Sequence, residues 1–450
     1  MIKTHHLTAG VYLFTLVLAS GCQQPNGDLL DRLVIGEVMT HSQFATNLRA
    51  LSVPGGRLTG TPGAEQAQEY VANKLREYGL QNVHAEPFEI ASWIVRETEV
   101  TLLTDPPRTI EGAIALGRTL STPPEGITAE LVYLGQPTEG DFAARAADLA
   151  GRLVLVDDKG LRRGQKLKLA LEQGAVGLVV MSQPQRAPII GNGHHEPRPE
   201  PIVAVPYDQQ LLDALAAGQS LKMRLRYVTE NWTAHPCNIV GEIPGSGPQA
   251  NEVIMLTAHL DSWHLAEGAM DNGSGSATIL ETARALATLD WKPRRTIRFV
   301  WFMGEELGLC GSRAYVERHL DELDNVVALC NLDMPGEPRS LLAFGHPEVS
   351  ALLDEVRGNL AGYELDLAVR EPSGDWSDHA PFMRQGVCTL TIAGELGPGS
   401  KYYHTAGDVY DTVDRRGTVS SAAVLAVIAH HFADAPSRPA QRLAPLPADE

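Results

Sequence analysis

Basic charge is scarce in this 450-residue chain: Lys and Arg total 37 against 55 Asp and Glu, a net charge of −18. The deficit argues against a phosphate-backbone partner, which needs a basic face, and against broad adhesion to anionic lipid. Long apolar runs are missing too, and the Val11–Ala19 run is too short to cross a bilayer as a permanent helix. The five cysteines include no CxxC pair, so no redox or thiol chemistry is implied. No GxSxG elbow announces a serine hydrolase and no HExxH a one-zinc peptidase of that type. Internal repeats and sustained heptads are likewise absent. What remains is an ordinary globular composition, 44% apolar and 20% charged, in a chain long enough for two lobes.

The N-terminus is the first informative segment. Lys3 precedes the apolar run, and residues 1–21 read as a signal peptide. Ala19-Ser20-Gly21-Cys22 resembles the lipobox at which bacterial lipoproteins are cleaved and their cysteine acylated, which makes Cys22 the lipidation candidate. Ala19 stands where that pattern more often has leucine, so secretion with an unmodified cysteine stays open. In either case the mature protein leaves the cytoplasm, and any membrane association runs through this one anchor, at the periplasmic or cell surface. An oxidising compartment permits disulfides among Cys237, Cys310, Cys330 and Cys388. Core packing is the expectation for Cys330 and Cys388, which lie in β-like runs, and also for Cys310.

Beyond the signal, the chain divides into a first part of a main domain (22–111), an insertion (112–230), a second part (231–435) and a disordered Pro- and Ala-rich tail (436–450). Ala64, Ala67, Val71, Leu75 and Tyr78 recur at three- and four-residue steps between Pro62 and Leu80, which predicts an amphipathic helix ended by Gly79. Residues 86–104 alternate as a strand pair. The insertion has short β-like runs, Arg152–Val156 and Val176–Val180, around a helix over Gln165–Gln173. The segment GQKLKLALEQGAVGLVV resembles the protease-associated domain, an α+β insertion carried by several exopeptidases. After Asn238, strands at 253–257, 296–302, 326–329 and 387–392 alternate with helices at 276–289 and 312–319, which predicts an α/β fold with a sheet flanked by helices.

Strand ends in α/β sheets collect ligand sites, and acids and histidines gather there in this chain. The run to Ala258 leads into His259-Leu260-Asp261; Asp271-Asn272 opens a helix; the run to Phe302 leads into Glu305-Glu306; Asp333 follows another strand; and His404 lies in a downstream loop. Histidine nitrogen with carboxylate oxygen suits zinc, and one carboxylate can bridge two ions about 3.5–4 Å apart. Each residue alone reads more simply as a helix cap or a solvated turn charge. Together they do not, because two adjacent glutamates after an apolar strand repel unless cations neutralise them.

HLDS, AMDNGSG, GEELGLCGS, NLDM and YYHT resemble, in type, order and spacing, the co-catalytic zinc aminopeptidases and carboxypeptidases. LSTPPEGITAELV, HLDSW and EGAMDNGSG are most similar to the plasma glutamate carboxypeptidase-like branch. The resemblance covers about Gly55 to Asp414 and implies a zinc-exopeptidase fold with two zinc ions. One would be held by His259 and Asp333, the other by Glu306 and His404, with Asp271 bridging. Glu305 would be the general base, and Asp261 would accept the second N–H of His259 and fix its tautomer. Substrates would be short peptides with a free terminus; which terminus is read, and whether the enzyme is a homodimer, stay open.

Asn331 and Leu332 depart from that branch, which often has an acidic residue before the aspartate. Ser377-Asp378-His379 resembles a turn of the wider family and is expected to be structural or substrate-facing. His194-His195 lacks a third spaced ligand and reads as a polar loop. Two other functions compete: glutaminyl cyclisation with a single zinc, which the complete ligand set opposes, and a non-catalytic binding protein, which missing ligands would favour and none is missing.

Overall fold

The computed structural model describes residues 27–372 and 376–447; the expected signal peptide and Cys22 lie outside the described residues. At the centre is the strand Val253–His259, buried at every position. It pairs in parallel with Thr296–Phe302 on one side and Val326–Asn331 on the other. A parallel strand covered on both faces has no solvent side, which is why Val-Ile-Met-Leu reads as a continuous apolar run. Its side chains alternate between two cores. Ile254, Leu256 and Ala258 face one cluster, and Val253 and Met255 the other. Truncating a residue such as Leu256 to alanine would cost about 2–5 kcal/mol.

Among the described residues eight strands form this sheet. Thr389–Glu395 continues it in parallel, Glu337–Phe344 turns antiparallel and Asp366–Arg370 closes one edge. At the other edge Cys237–Ile243 and Gln81–Pro87 run antiparallel. The larger core packs the helices Gly27–His41, Pro62–Glu77, Gly275–Ala287, Ser350–Asn359 and Arg415–Asp434 on one face. Cys310–Arg318 and His379–Arg384 cover the other through Tyr315, Val316 and Phe382. The expected α/β fold is present.

Arg415–Asp434 was not expected as a helix. From Ser421 to Ala433 it is buried throughout, so its apolar residues fall on every side and leave no amphipathic period to read. It packs against Gly27–His41, whose buried face is Leu30, Asp31, Val34 and Val38.

A second sheet of eight described strands forms the inserted lobe. Its boundary differs from the expected residue 112. The long strand Ile90–Leu102 pairs along its length with Lys222–Ala234 and so belongs to the insertion, while Gln81–Pro87 belongs to the main sheet. The expected strand pair over 86–104 is thus one strand in each of two sheets. Alternation reports a half-buried strand but not its partner.

The tail also differs from expectation. Arg438 donates to the Asp324 and Val326 carbonyls at 2.7 and 3.2 Å, the Leu443 and Leu446 amides bond the Gly386 and Arg384 carbonyls, and Ala440 is buried. Composition suggested disorder over 436–450; along 436–447 these bonds to the main domain hold the chain in place. The four described cysteines are all unpaired. Cys330 and Cys388 are buried, and burial pushes the Cys330 thiol up to about 12.

Candidate active site

The parallel strands Val253–His259, Thr296–Phe302 and Val326–Asn331 end side by side, and the loops leaving them supply most of the site. His259 ends its strand with Nδ1 3.1 Å from the backbone carbonyl of Asp261. A carbonyl only accepts, so Nδ1 carries a proton and Nε2 is the nitrogen turned to the carboxylates. It lies 3.2 Å from Asp271 Oδ1 and 3.5 Å from Asp333 Oδ1. On the other side of Asp271, His404 Nε2 lies 3.0 Å from Oδ2 and 3.3 Å from Glu306 Oε2. One carboxylate thus turns one oxygen to each of two histidines. The donor atoms of His259, Asp271 and Asp333, and those of Asp271, Glu306 and His404, each lie within 4.8 Å of one another. These are the two sets expected from the sequence.

These groups fit metal ions better than they fit one another. His259 Nε2, Glu306 Oε1 and Asp333 Oδ1 are buried without a hydrogen-bond partner, an expensive condition for polar atoms unless an ion takes them. The charges agree. Burial and then Asp271 push the Glu306 carboxyl up to about 7. Glu305 is raised well above the carboxylate range by burial, with Asp333, Glu306 and Asp378 adding to it against His259. Against its own burial, His404 is raised to about 9 by Glu306 and Asp271. This is the signature of carboxylates crowded without a neutralising cation.

Asp261 sits differently from its expected role. Its carboxylate is 3.6 Å from His259 Nδ1, while its backbone carbonyl is the nearer acceptor. Each carboxylate oxygen instead accepts a backbone N–H, Oδ1 from Glu305 at 3.2 Å and Oδ2 from Glu306 at 3.3 Å, and Oδ2 also takes the Thr59 hydroxyl at 3.1 Å. Asp261 therefore fixes the Glu-Glu turn as much as the imidazole.

Several residues that hold the ligands escaped the sequence reading. Asp408, buried, accepts the N–H groups of Met270 and Asp271 at 2.7 and 3.0 Å. Arg57, also buried, donates to the carbonyls of Leu260, Glu267 and Gly268. Burial lowers its guanidinium to about 10, with Asp408 first among the groups opposing that. Asn272 donates to the Leu332 carbonyl at 2.8 Å and accepts from Gly275 and Met334, which ties the Asp271 turn to the Asp333 turn. Position 275 admits only glycine, because a Cβ there would lie 2.3 Å from Asn272 Oδ1 and 2.5 Å from the Leu332 carbonyl. Asn331 accepts from Thr257 and donates to Ser377, so the asparagine that departs from the expected acidic pattern is a strut between loops.

The inserted lobe reaches the same site. Asn192 Nδ2 donates to the Glu306 carbonyl at 2.7 Å and the Ile190 amide to the His404 carbonyl at 2.7 Å. Arg186 reaches the Tyr403 carbonyl at 3.0 Å. Trp263 stands edge-on to His404 and lines a small cleft with Ala266, Asp271 and His404. His194 bonds the Glu200 carbonyl and joins no metal-type donor group among the described residues. Asp378 and His379 are buried beside the site, with His379 stacked on Phe344, and also stand outside both donor groups.

A sequence model of peptidase family M28 matches residues 238–429, and one of the PA domain matches residues 127–215. The chain thus carries a peptidase family M28 domain over residues 238–429. Among relatives of this M28 chain is bovine carboxypeptidase Q (Bos taurus), 28% identical over 84% of this chain and 83% of that one. The probable lipoprotein aminopeptidase LpqL of Mycobacterium tuberculosis (strain ATCC 25618 / H37Rv) is 32% identical over 69% of this chain and 61% of its own. The fold matches that of the peptidase M28 precursor from Shewanella amazonensis SB2B with a TM-score of 0.82 at 24% identity, covering 94% of this chain and 99% of that one. The M28 chain is an enzyme, a zinc-dependent exopeptidase with an inserted PA domain. Among its described residues no helix is long and apolar enough to cross a membrane.

Proposed function

We propose that this peptidase uses two zinc ions, held by His259 with Asp333 and by Glu306 with His404 and bridged by Asp271, to hydrolyse short peptides at a free terminus. The observation that carries the reading is the Asp271 carboxylate, which turns one oxygen to each of two histidines in a pocket that also holds Glu305. Zinc bound at such donors polarises a carbonyl oxygen and lowers the pKa of water.

The chain's own groups do the rest. Glu305, buried beside Glu306 and Asp333, takes the proton of the attacking water and returns it to the departing amine. Asp261 holds the Glu305 and Glu306 amides and so aims both carboxylates. Trp263 and the inserted lobe narrow the approach, which favours short substrates. The similarity to both a carboxypeptidase and an aminopeptidase leaves the terminus to experiment. The lipobox-like Cys22 together with the relative named as a lipoprotein supports an exported enzyme tethered by an N-terminal lipid.

Elemental analysis of the purified domain, with amino-acid release from a dipeptide panel with and without chelator, tests this. About two zinc per chain and chelator-sensitive cleavage are expected; a single zinc without cleavage would redirect the assignment to cyclisation, and absence of metal to a binding role. Glu305→Gln should keep its zinc and lose about 10²–10⁴-fold in turnover, and full activity in that variant would remove Glu305 as the base.

A further inference from the structure

A third group of metal-type donors lies away from the active centre, where the two ends of the described chain meet. His430 and His431, adjacent on the helix Arg415–Asp434, both turn Nε2 toward the carboxylate of Asp31 on the helix Gly27–His41. His430 Nε2 bonds Asp31 Oδ1, and His431 Nε2 lies 3.2 Å from both carboxylate oxygens. All three residues are buried, and their donor atoms fall within 4.8 Å of one another, as in each half of the active centre. The motif at Asp271 recurs here: one carboxylate, two imidazole Nε2 atoms.

Asn359 supplies a fourth position. Its Nδ2 is 2.8 Å from Asp31 Oδ2 and 3.3 Å from His431 Nε2. Rotating the amide by half a turn places its oxygen there instead, a change that leaves the shape of the side chain the same. The donors are then two imidazole nitrogens and two oxygens, a set suited to zinc in tetrahedral coordination. Trp291 covers His430 edge-on, with ring centroids 6.0 Å apart, and shields the site on that side.

A different cluster shows what an ion-free arrangement looks like. Glu86 also receives two histidines on one oxygen, His84 at 3.2 Å and His319 at 2.9 Å, but its second oxygen takes the guanidinium of Arg318 at 3.2 Å. There a protein cation neutralises the carboxylate. At Asp31 the second oxygen takes the neutral amide of Asn359 at 2.8 Å and shares His431 Nε2 at 3.2 Å, and among the described residues no guanidinium is bonded to it.

We propose that Asp31, Asn359, His430 and His431 form a structural site for a divalent transition metal such as zinc, separate from the catalytic ions, which clamps the N-terminal helix to the C-terminal one. Residues 31 and 431 are separated by 400 positions, so a metal here closes nearly the whole chain. Its role is to hold the ends together, not to act on substrate.

Zinc content is measured after saturation and desalting for the wild-type chain, Asp31→Asn and His431→Gln, together with dipeptide hydrolysis. Each variant is expected to hold one equivalent less than the wild type while retaining hydrolysis; equal content in all three overturns the site. Anomalous scattering at the zinc edge from wild-type crystals gives an answer that depends on no variant folding. A peak among Asp31, His430 and His431 supports the site, and its absence from zinc-soaked crystals refutes it. Because the reading is a difference of one equivalent, or a peak at a separate place, it stands or falls independently of how many ions the active centre holds.

Discussion

Replacing Asp408 by asparagine tests whether the bridging aspartate owes its position to a residue that never touches metal. Asp408 uses one oxygen for the Met270 amide at 2.7 Å and the other for the Asp271 amide at 3.0 Å, and it is only 3% exposed. Asparagine keeps one acceptor and turns an NH₂ group against the second amide, leaving a buried donor facing a donor. A buried group stranded in this way costs about 1–3 kcal/mol. The nearby Arg57 guanidinium also loses its foremost counter-charge. Because the displaced amide belongs to Asp271 itself, the cost should fall on the metal site, with zinc affinity reduced about 10–100-fold, as for other residues that orient ligands. Competition of the zinc-loaded enzyme against a calibrated chelator reads affinity, and thermal melting of the metal-free chain reads the packing cost. If Asp408→Asn binds zinc as tightly as the wild type and melts at the same temperature, the argument that this carboxylate positions Asp271 is wrong.

Two further outcomes are expected. Asn192→Ala removes the 2.7 Å bond from the inserted lobe to the Glu306 carbonyl; a loss of about 1 kcal/mol expressed in the transition state lowers turnover roughly fivefold, and steady-state kinetics showing no change would uncouple that lobe from catalysis. Glu86→Gln affects stability and its pH dependence. Against burial, His319 and its neighbours lower the Glu86 carboxyl from 4.5 to about 2, so its contribution is present above pH 4.5 and lost as pH falls through 2. His319 is raised above 6.5 chiefly by its bond to Glu86, so its contribution is present below 6.5 and lost as pH rises past the raised value. The pair therefore stabilises most between those limits, and at about pH 5.5 the variant should lose roughly 1–2 kcal/mol in denaturant titration, with a flatter pH profile than the wild type.

The metal-type donors were legible because each sits at the end of an apolar strand or in a loop with a recognisable neighbour. HLDS follows a strand buried on both faces, and GEE follows another. The helix Pro62–Glu77 and the strands Val253–His259 and Thr296–Phe302 were legible for a related reason, since each has one dominant period or one unbroken apolar run. Arg415–Asp434 has neither, being apolar on all sides. Asp408, Arg57 and Asn192 were invisible because their roles are backbone hydrogen bonds to segments 137, 203 and 114 positions away, and no local spacing encodes such a partner. The boundary of the insertion was misplaced because Ile90–Leu102 carries the same alternation whichever sheet it joins. The tail was misread because composition alone does not reveal that Arg438 and Arg442 find partners at Asp324 and Gln385.

The ribbon that carries the inserted lobe limits how this enzyme can open. Pro87 and Cys237 are register partners in one sheet, Ile90 and Ala234 are register partners in the other, and the Phe88 amide bonds the Pro236 carbonyl between them. The two crossings between the sheets, 88–89 and 235–236, lie outside the strands and are tied to each other by that bond. Lifting the lobe from the cleft would break the bonds of Ile190 to His404 and of Asn192 to Glu306. The lobe that covers the cleft and the loops that carry Glu306 and His404 are thus one connected unit, so whatever displaces the lobe also removes an anchor from each of those two loops.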